Sequence, residues 1–231
     1  MTKFRRVELR TTNAEAARAF YSNIFGHDRA MIWPLHEQAL ARGAKPHWLG
    51  QIDVQDVDAA AAQFIARGAS PLGPTSPTHD GGRVAVLRDP GGAIVALLTL
   101  PALPSDTGGQ GVSVVWHALN TIDAERARTN YSELFGWSFT SELDLGRQGK
   151  FQQFAWQPGG ENVGSIGDIA DRPEIHPHWT YFFEVRDLEP ALAATRAFGG
   201  VTLEPITLPD GTRVCACDDP QGAAFGLLQR P

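Results

Sequence analysis

Ala19-Phe20-Tyr21-Ser22-Asn23-Ile24-Phe25-Gly26 decides the fold, because the chain carries it twice. It returns as Thr129-Asn130-Tyr131-Ser132-Glu133-Leu134-Phe135-Gly136, shifted by 110. Pro46-His47-Trp48 returns as Pro177-His178-Trp179, shifted by 131, and Asp89-Pro90-Gly91-Gly92-Ala93 as Asp219-Pro220-Gln221-Gly222-Ala223, shifted by 130. A repeat this long marks a duplicated fold unit. The second copy therefore holds 21 additional residues between its first and second landmarks, and there the copies stop being equivalent.

Around each landmark the hydrophobic pattern names the local structure. Val7 and Leu9 alternate with Arg6, Glu8 and Arg10, as a strand with one apolar face requires. Asn13 fits a helix N-cap, Ala17, Phe20, Tyr21 and Ile24 form one apolar stripe, and Gly26 fits the C-terminal stop. The same strand and helix recur over Val112–Gly136, with Asp123 as cap. Each half then continues with a strand from the His-Trp step and a helix capped by Asp56 or Asp187. Two later strands follow, flanking the Asp-Pro turn. Between Gly136 and His178 there is room for three strands, 138–143, 151–156 and 162–166. The first copy has only His27–Pro46 there, in which 35–43 reads as a short helix replacing two or three strands.

With 231 residues, 42% hydrophobic, the chain can build two domains of ordinary size. The halves are read as 1–102 and 112–231, joined by a Pro/Gly/Ser-rich linker over 103–111. A net charge of −6 and no concentrated basic run argue against nucleic acid or an anionic membrane surface as partner. Cys215 and Cys217 are too close on one strand for an unstrained disulfide and read as reduced thiols. With no apolar leader and no membrane-length apolar run, a cytoplasmic protein is expected.

The ordered series of strand, "AFYSNIFG" or "NYSELFGW" helix, His-Trp strand and Asp-Pro turn resembles the vicinal-oxygen-chelate superfamily of glyoxalases, bleomycin-resistance proteins and extradiol dioxygenases. The resemblance implies an α+β fold of tandem βαβββ modules, the first of them shortened. In metal-dependent members of that family, ligands lie at three fixed places. The corresponding residues here are Arg6, Leu49 and Ala96 in the first half and Trp116, Thr180 and Gly226 in the second. None is a metal-ligand type, so no cofactor is expected. The fallback for a displaced metal is His117 with His178, joined by His176. His47 and His178 otherwise read as strand-entry residues bonded to backbone.

The sheet face expected to be concave in the second half carries Trp116, Ala118, Asn120, Thr180, Phe182 and Glu184, with Phe154 and Trp156 joining it. Aromatic walls with a few polar points suit a small-molecule site. Glu184, if buried among aromatics, would be the candidate acid or base. Glu8, flanked by Arg6 and Arg10, reads as part of a solvated ion-pair stripe, and the Asp-Pro turns as hairpin chemistry. The first expectation is a metal-independent binder of a small, partly apolar or aromatic molecule. Its rivals are a metal-dependent lyase, isomerase or dioxygenase with a displaced site, and a protein with a structural or interaction role and no ligand. A homodimer is left open.

Overall fold

The computed structural model describes residues 1–101, 113–146 and 149–231. The expected linker, 103–111, lies outside the described residues. In the first half the alternating and striped segments become β1 (Phe4–Thr11), α1 (Ala14–Phe25), β2 (Ile32–Pro34), α2 (Glu37–Ala41), β3 (His47–Asp53), α3 (Val57–Ala66), β4 (Ser70–Pro71), β5 (Ser76–Pro77), β6 (Arg83–Arg88) and β7 (Ile94–Thr99). The second half supplies β8 (Val114–Thr121), α4 (Ala124–Phe135), β9 (Ser138–Asp144), β10 (Lys150–Ala155), β11 (Gly164–Asp168) and β12 (His178–Glu184). It ends with α5 (Leu188–Ala197), β13 (Val201–Thr202), β14 (Ile206–Thr207), β15 (Arg213–Asp218) and β16 (Ala224–Gln229). This is a mixed α+β fold of tandem βαβββ modules.

The expected caps form at three of four helices. Asn13 Oδ1 accepts from the Ala16 amide at 3.0 Å, Asp123 Oδ1 from Arg126 at 2.9 Å, and Asp56 Oδ1 from Ala59 at 3.0 Å. Asp187 occupies the N-cap position of α5 without a side-chain bond; Gln229 Oε1 accepts from the Leu188 amide instead. Gly26 and Gly136 close α1 and α4 at φ 72° and 74°, a left-handed conformation that glycine adopts without steric cost.

Among the described residues, one sheet has seven strands, ordered β2-β1-β3-β7-β6-β4 with β5 also on β6. The other has nine, ordered β13-β15-β16-β12-β8-β11-β10-β9 with β14 on β15. The difference of two strands explains the unequal repeat. β2 runs parallel to β1 with Leu9 opposite Ile32, just as β11 runs parallel to β8 with Leu119 opposite Ile166. So β2 is the counterpart of β11, and the strands without a counterpart are β9 and β10. The expected replacement by a helix is corrected here: α2 follows β2 and lies in the connection to β3. The three-residue β2 is too short to show a period in the sequence.

The chain divides into two compact units, each drawn from both halves. One takes the described residues of 1–6, 50–107 and 116–179, the other those of 7–49, 108–115 and 180–231. In the first unit α3 packs on α4, and in the second α1 packs on α5. The repeated landmarks meet inside these units. Trp179 Nε1 donates to the Tyr131 hydroxyl at 3.3 Å, and that hydroxyl donates to Asp89 Oδ2 at 3.1 Å. In the other unit Trp48 Nε1 donates to the Tyr21 hydroxyl at 3.0 Å, which donates to Asp219 Oδ2 at 3.2 Å. Each relay takes its Trp and Tyr from one half and its Asp from the other. The Asp-Pro turns are hairpin chemistry as expected, since Asp89 Oδ1 accepts from the Ala93 amide at 2.9 Å and Asp219 Oδ1 from Ala223 at 2.9 Å. Their second carboxylate oxygen ties the halves together.

The turns also differ in one useful way. Gln221 reaches the start of α1, where its Oε1 accepts from the Asn13 amide at 2.7 Å and its Nε2 donates to the Asn13 carbonyl at 3.1 Å. Gly91 stands at the equivalent place in the first turn, where a Cβ would lie 1.8 Å from Thr121 Oγ1.

Candidate ligand-binding site

In the first unit, β8, β11 and β10 lie side by side, and their registers sort the candidate residues by face. His117, Gly164 and Phe154 form one row, and Leu119, Ile166 and Gln152 the next on the same face. This is the helix-facing side. Phe154 stacks on Trp137 at 4.8 Å with the rings 4° from parallel, and Trp137 stacks on Tyr131 of α4. Trp156 meets both Trp137 and His117 edge-on. The expectation that Phe154 and Trp156 share a face with Trp116 is therefore corrected. Glycine explains the inward turn of Phe154: a Cβ on Gly164 would lie 2.5 Å from the Phe154 ring, so the ring fills space that only glycine leaves.

The far face carries Trp116, Ala118 and Asn120 from β8, Ser165 and Gly167 from β11, and Phe151 and Gln153 from β10. Ala118 and Ser165 form a buried floor, while Trp116, Asn120, Phe151 and Gln153 are half-buried around it. Phe151 lies across Gly167, where a Cβ would sit 2.4 Å from its ring. Trp116 Nε1 donates to Ser165 Oγ at 3.3 Å, which fixes the indole. Gln153 Oε1 accepts from Ser141 Oγ at 2.7 Å and from Asn162 Nδ2 at 3.0 Å. Phe151, Gln153 and Ser165 were missed in the sequence. The signal for them is the Gly164-Ser165-Ile166-Gly167 alternation, which places a glycine opposite each phenylalanine of β10.

The other candidates belong to the second unit. Thr180 is buried and Phe182 half-buried on β12. Glu184 departs from expectation: its side chain is 46% exposed and pairs with Arg230 Nε at 3.1 Å, because it ends the strand at the surface. It is not a carboxylate held among aromatics. Glu8 departs in the opposite sense. Its side chain is 3% exposed, with Arg10 folded onto it and Arg10 Nε donating to Oε1 at 2.9 Å. The ion pair is present, but it is buried rather than solvated.

Of the fallback histidines, His176 and His178 stack with their ring centroids 4.7 Å apart, but no third ligand type joins them among the described residues. His117 lies on the helix-facing side, its ring 5.0 Å from that of Phe4 and nearly parallel to it. Its Nδ1 bonds the Val163 carbonyl at 2.8 Å, and burial lowers its pKa to about 4, which keeps the ring neutral. His47 and His178 are true counterparts. Each bonds through Nδ1 to the carbonyl two residues earlier, at 2.8 and 2.7 Å, and burial lowers the pKa of each. Among the described residues no three His, Cys, Asp or Glu come together as a metal-binding set.

The residues at the family's ligand positions do not fit a metal either. Trp116 Nε1 is spent on Ser165, Leu49 and Ala96 are buried hydrocarbon, and Arg6 pairs with Asp80. At Gly226 a Cβ would lie 2.2 Å from the Phe182 ring, so the aromatic occupies the space a ligand side chain would need. A shallow open depression of about 500 Å³ lies apart from this face, lined by α4 residues such as Arg128 and Ser132 and by Trp137 and Phe139. Both cysteines are free and buried. Among the described residues no helix is long and apolar enough to cross a membrane.

Tandem βαβββ modules in two halves, with relays exchanged between them, define a duplicated α+β architecture. The family model described as Glyoxalase/Bleomycin resistance protein/Dioxygenase superfamily matches residues 113–227. "Putative glyoxylase CFP32" of Mycobacterium tuberculosis is 28% identical over 96% of this chain and 93% of its own. "Anthracycline biosynthesis protein DauV" of a Streptomyces species is 27% identical over 79% of this chain and 65% of its own. The Mn(II)-bound glyoxalase from Novosphingobium aromaticivorans shares the fold at a TM-score of 0.62 and 11% identity, over 99% of this chain and 83% of that one. The 2,3-dioxygenase LapB from Pseudomonas does so at 0.63 and 12%, over 98% and 91%. Residues 113–227, the second half, belong to the glyoxalase, bleomycin-resistance and dioxygenase superfamily.

Proposed function

We propose that this protein is a metal-independent member of its superfamily that binds a small, planar, partly aromatic molecule on the far face of β8, β11 and β10. One observation carries the reading. At the position of the family's first-strand ligand stands Trp116, a half-buried indole fixed by Ser165, on the same face as Phe151 and Asn120, which lie level with one another farther along the strands. Half-buried aromatic rings around a small buried floor favour stacking with a flat ring system, and fixed polar points orient it. Two relatives are named anthracycline biosynthesis proteins, a name in keeping with an aromatic ligand class. Thr180, Phe182 and Glu184 belong to the other unit, where Glu184 is a surface residue rather than an acid or base.

Equilibrium dialysis against fluorene, a planar tricyclic hydrocarbon, tests the reading. Chelator-treated protein should retain the probe, and Trp116→Ala should lower affinity about tenfold or more while the fold is kept. Binding that survives Trp116→Ala unchanged would remove this face as the site. Binding that appears only after adding Fe, Zn, Ni or Mn would return the protein to metal chemistry.

A further inference from the structure

We propose that the far-face site recognises a carbonyl oxygen on its ligand, with the Gln153 amide nitrogen as the donor; this rests on the reading that the face binds a planar molecule. Thr140 Oγ1 donates to Asn162 Oδ1 at 2.8 Å, which leaves Asn162 Nδ2 as the group facing Gln153. That nitrogen and Ser141 Oγ both donate to Gln153 Oε1, so the oxygen of this amide is spent inside the protein. Its two N–H groups take no acceptor among the described residues. Gln153 sits opposite Ser165, whose oxygen already accepts from Trp116 and whose own O–H stays a donor. Asn120, two strands away and two residues along, at about 12 Å, adds a second half-buried amide with no bond to the described residues. The polar points of this face therefore offer more donors than acceptors.

The charge pattern narrows the acceptor. None of Trp116, Ala118, Asn120, Ser165, Gly167, Phe151 and Gln153 is cationic, nor are Ser141 and Leu143 beside them on β9. A carboxylate or phosphate would find hydrogen bonds but no cationic side chain among these lining residues, the guanidinium of Arg172 lying at the end of the face beside Gly149, and ions are costly to desolvate in a half-buried setting. A neutral carbonyl meets the donors at little cost. The ligand class is a planar aryl ketone or quinone.

Fluorenone and fluorene share one tricyclic frame and differ by the carbonyl, so they separate the two claims. In equilibrium dialysis, Gln153→Met and Gln153→Glu should each lower fluorenone affinity about threefold to tenfold, the worth of one hydrogen bond, and change fluorene affinity by less than about twofold. Gln153→Glu keeps the oxygen held by Ser141 and Asn162 and replaces only the donor. Equal losses for both probes, or no loss for fluorenone in either variant, would overturn carbonyl recognition while leaving the face as a binding site. If wild-type protein binds neither probe, the proposed function fails, and this inference with it.

Discussion

The Tyr131 hydroxyl donates to Asp89 Oδ2 at 3.1 Å, joining a helix of the second half to a turn of the first. Tyr21 and Asp219 make the reciprocal bond at 3.2 Å. Trp179 and Trp48 complete the two relays, so the three repeated sequence landmarks are three parts of one hydrogen-bonded device. Burial, and next the charge of Asp219, push the Tyr21 phenol well above its ordinary pKa, so it remains a donor.

Removing the relay hydroxyl should be costly. Tyr131→Phe deprives the buried Asp89 oxygen of this donor and Trp179 Nε1 of this acceptor. The expected loss is about 1–3 kcal/mol, the usual penalty for a stranded buried polar group. Tyr21→Phe should cost a similar amount, since Tyr21 and Asp219 are equally buried. Urea unfolding of both variants checks this; a change below about 0.5 kcal/mol in each would show that the relays are not load-carrying contacts.

The relay aspartates should also give stability a pH slope. Burial raises the Asp89 pKa from 3.8 to about 6 against several opposing hydrogen bonds, and burial likewise raises Asp219. Below about pH 4 the group is protonated in both folded and unfolded chains. Between there and about 6 the folded chain keeps a proton that the unfolded chain has lost, so stability falls as pH rises. Above about 6 the loss is complete and the curve is level, Asp89 accounting for up to roughly 3 kcal/mol. Asp89→Asn should flatten its part of the slope. A variant with the wild-type slope would assign the titration elsewhere.

Gly226 gives a sharper steric test. Because the Phe182 ring lies where its Cβ would be, Gly226→Ala should destabilise by about 1–3 kcal/mol. Adding Phe182→Ala should recover part of that loss, since the clash disappears. Additive losses in the double variant would mean that the ring is not what keeps position 226 small.

Much of this fold was legible in the sequence, for identifiable reasons. Val7 and Leu9 alternate over a full strand, and Asn13 and Asp123 precede clear apolar stripes, so those strands, helices and caps follow from local chemistry. The repeated Tyr, Trp and Asp were visible too, but not their pairing. Nothing local to Tyr131 says that its acceptor is Asp89 rather than Asp219, because exchange between halves is a property of topology. The site was read less well. Phe154 and Phe151 have similar neighbours, and only their registers opposite Gly164 and Gly167 decide that one faces the helices and the other the far side. Glu184 was misplaced because strand alternation gives a face, not the depth at which a strand ends.

The most direct measurement combines elemental analysis with fluorene dialysis on one preparation. Metal-independent binding predicts no stoichiometric Fe, Zn, Ni or Mn in the purified protein, and a fluorene affinity unchanged by chelator and lost in Trp116→Ala. About one metal ion per chain, removed together with binding by chelator or by mutation of His117 or His178, would contradict it.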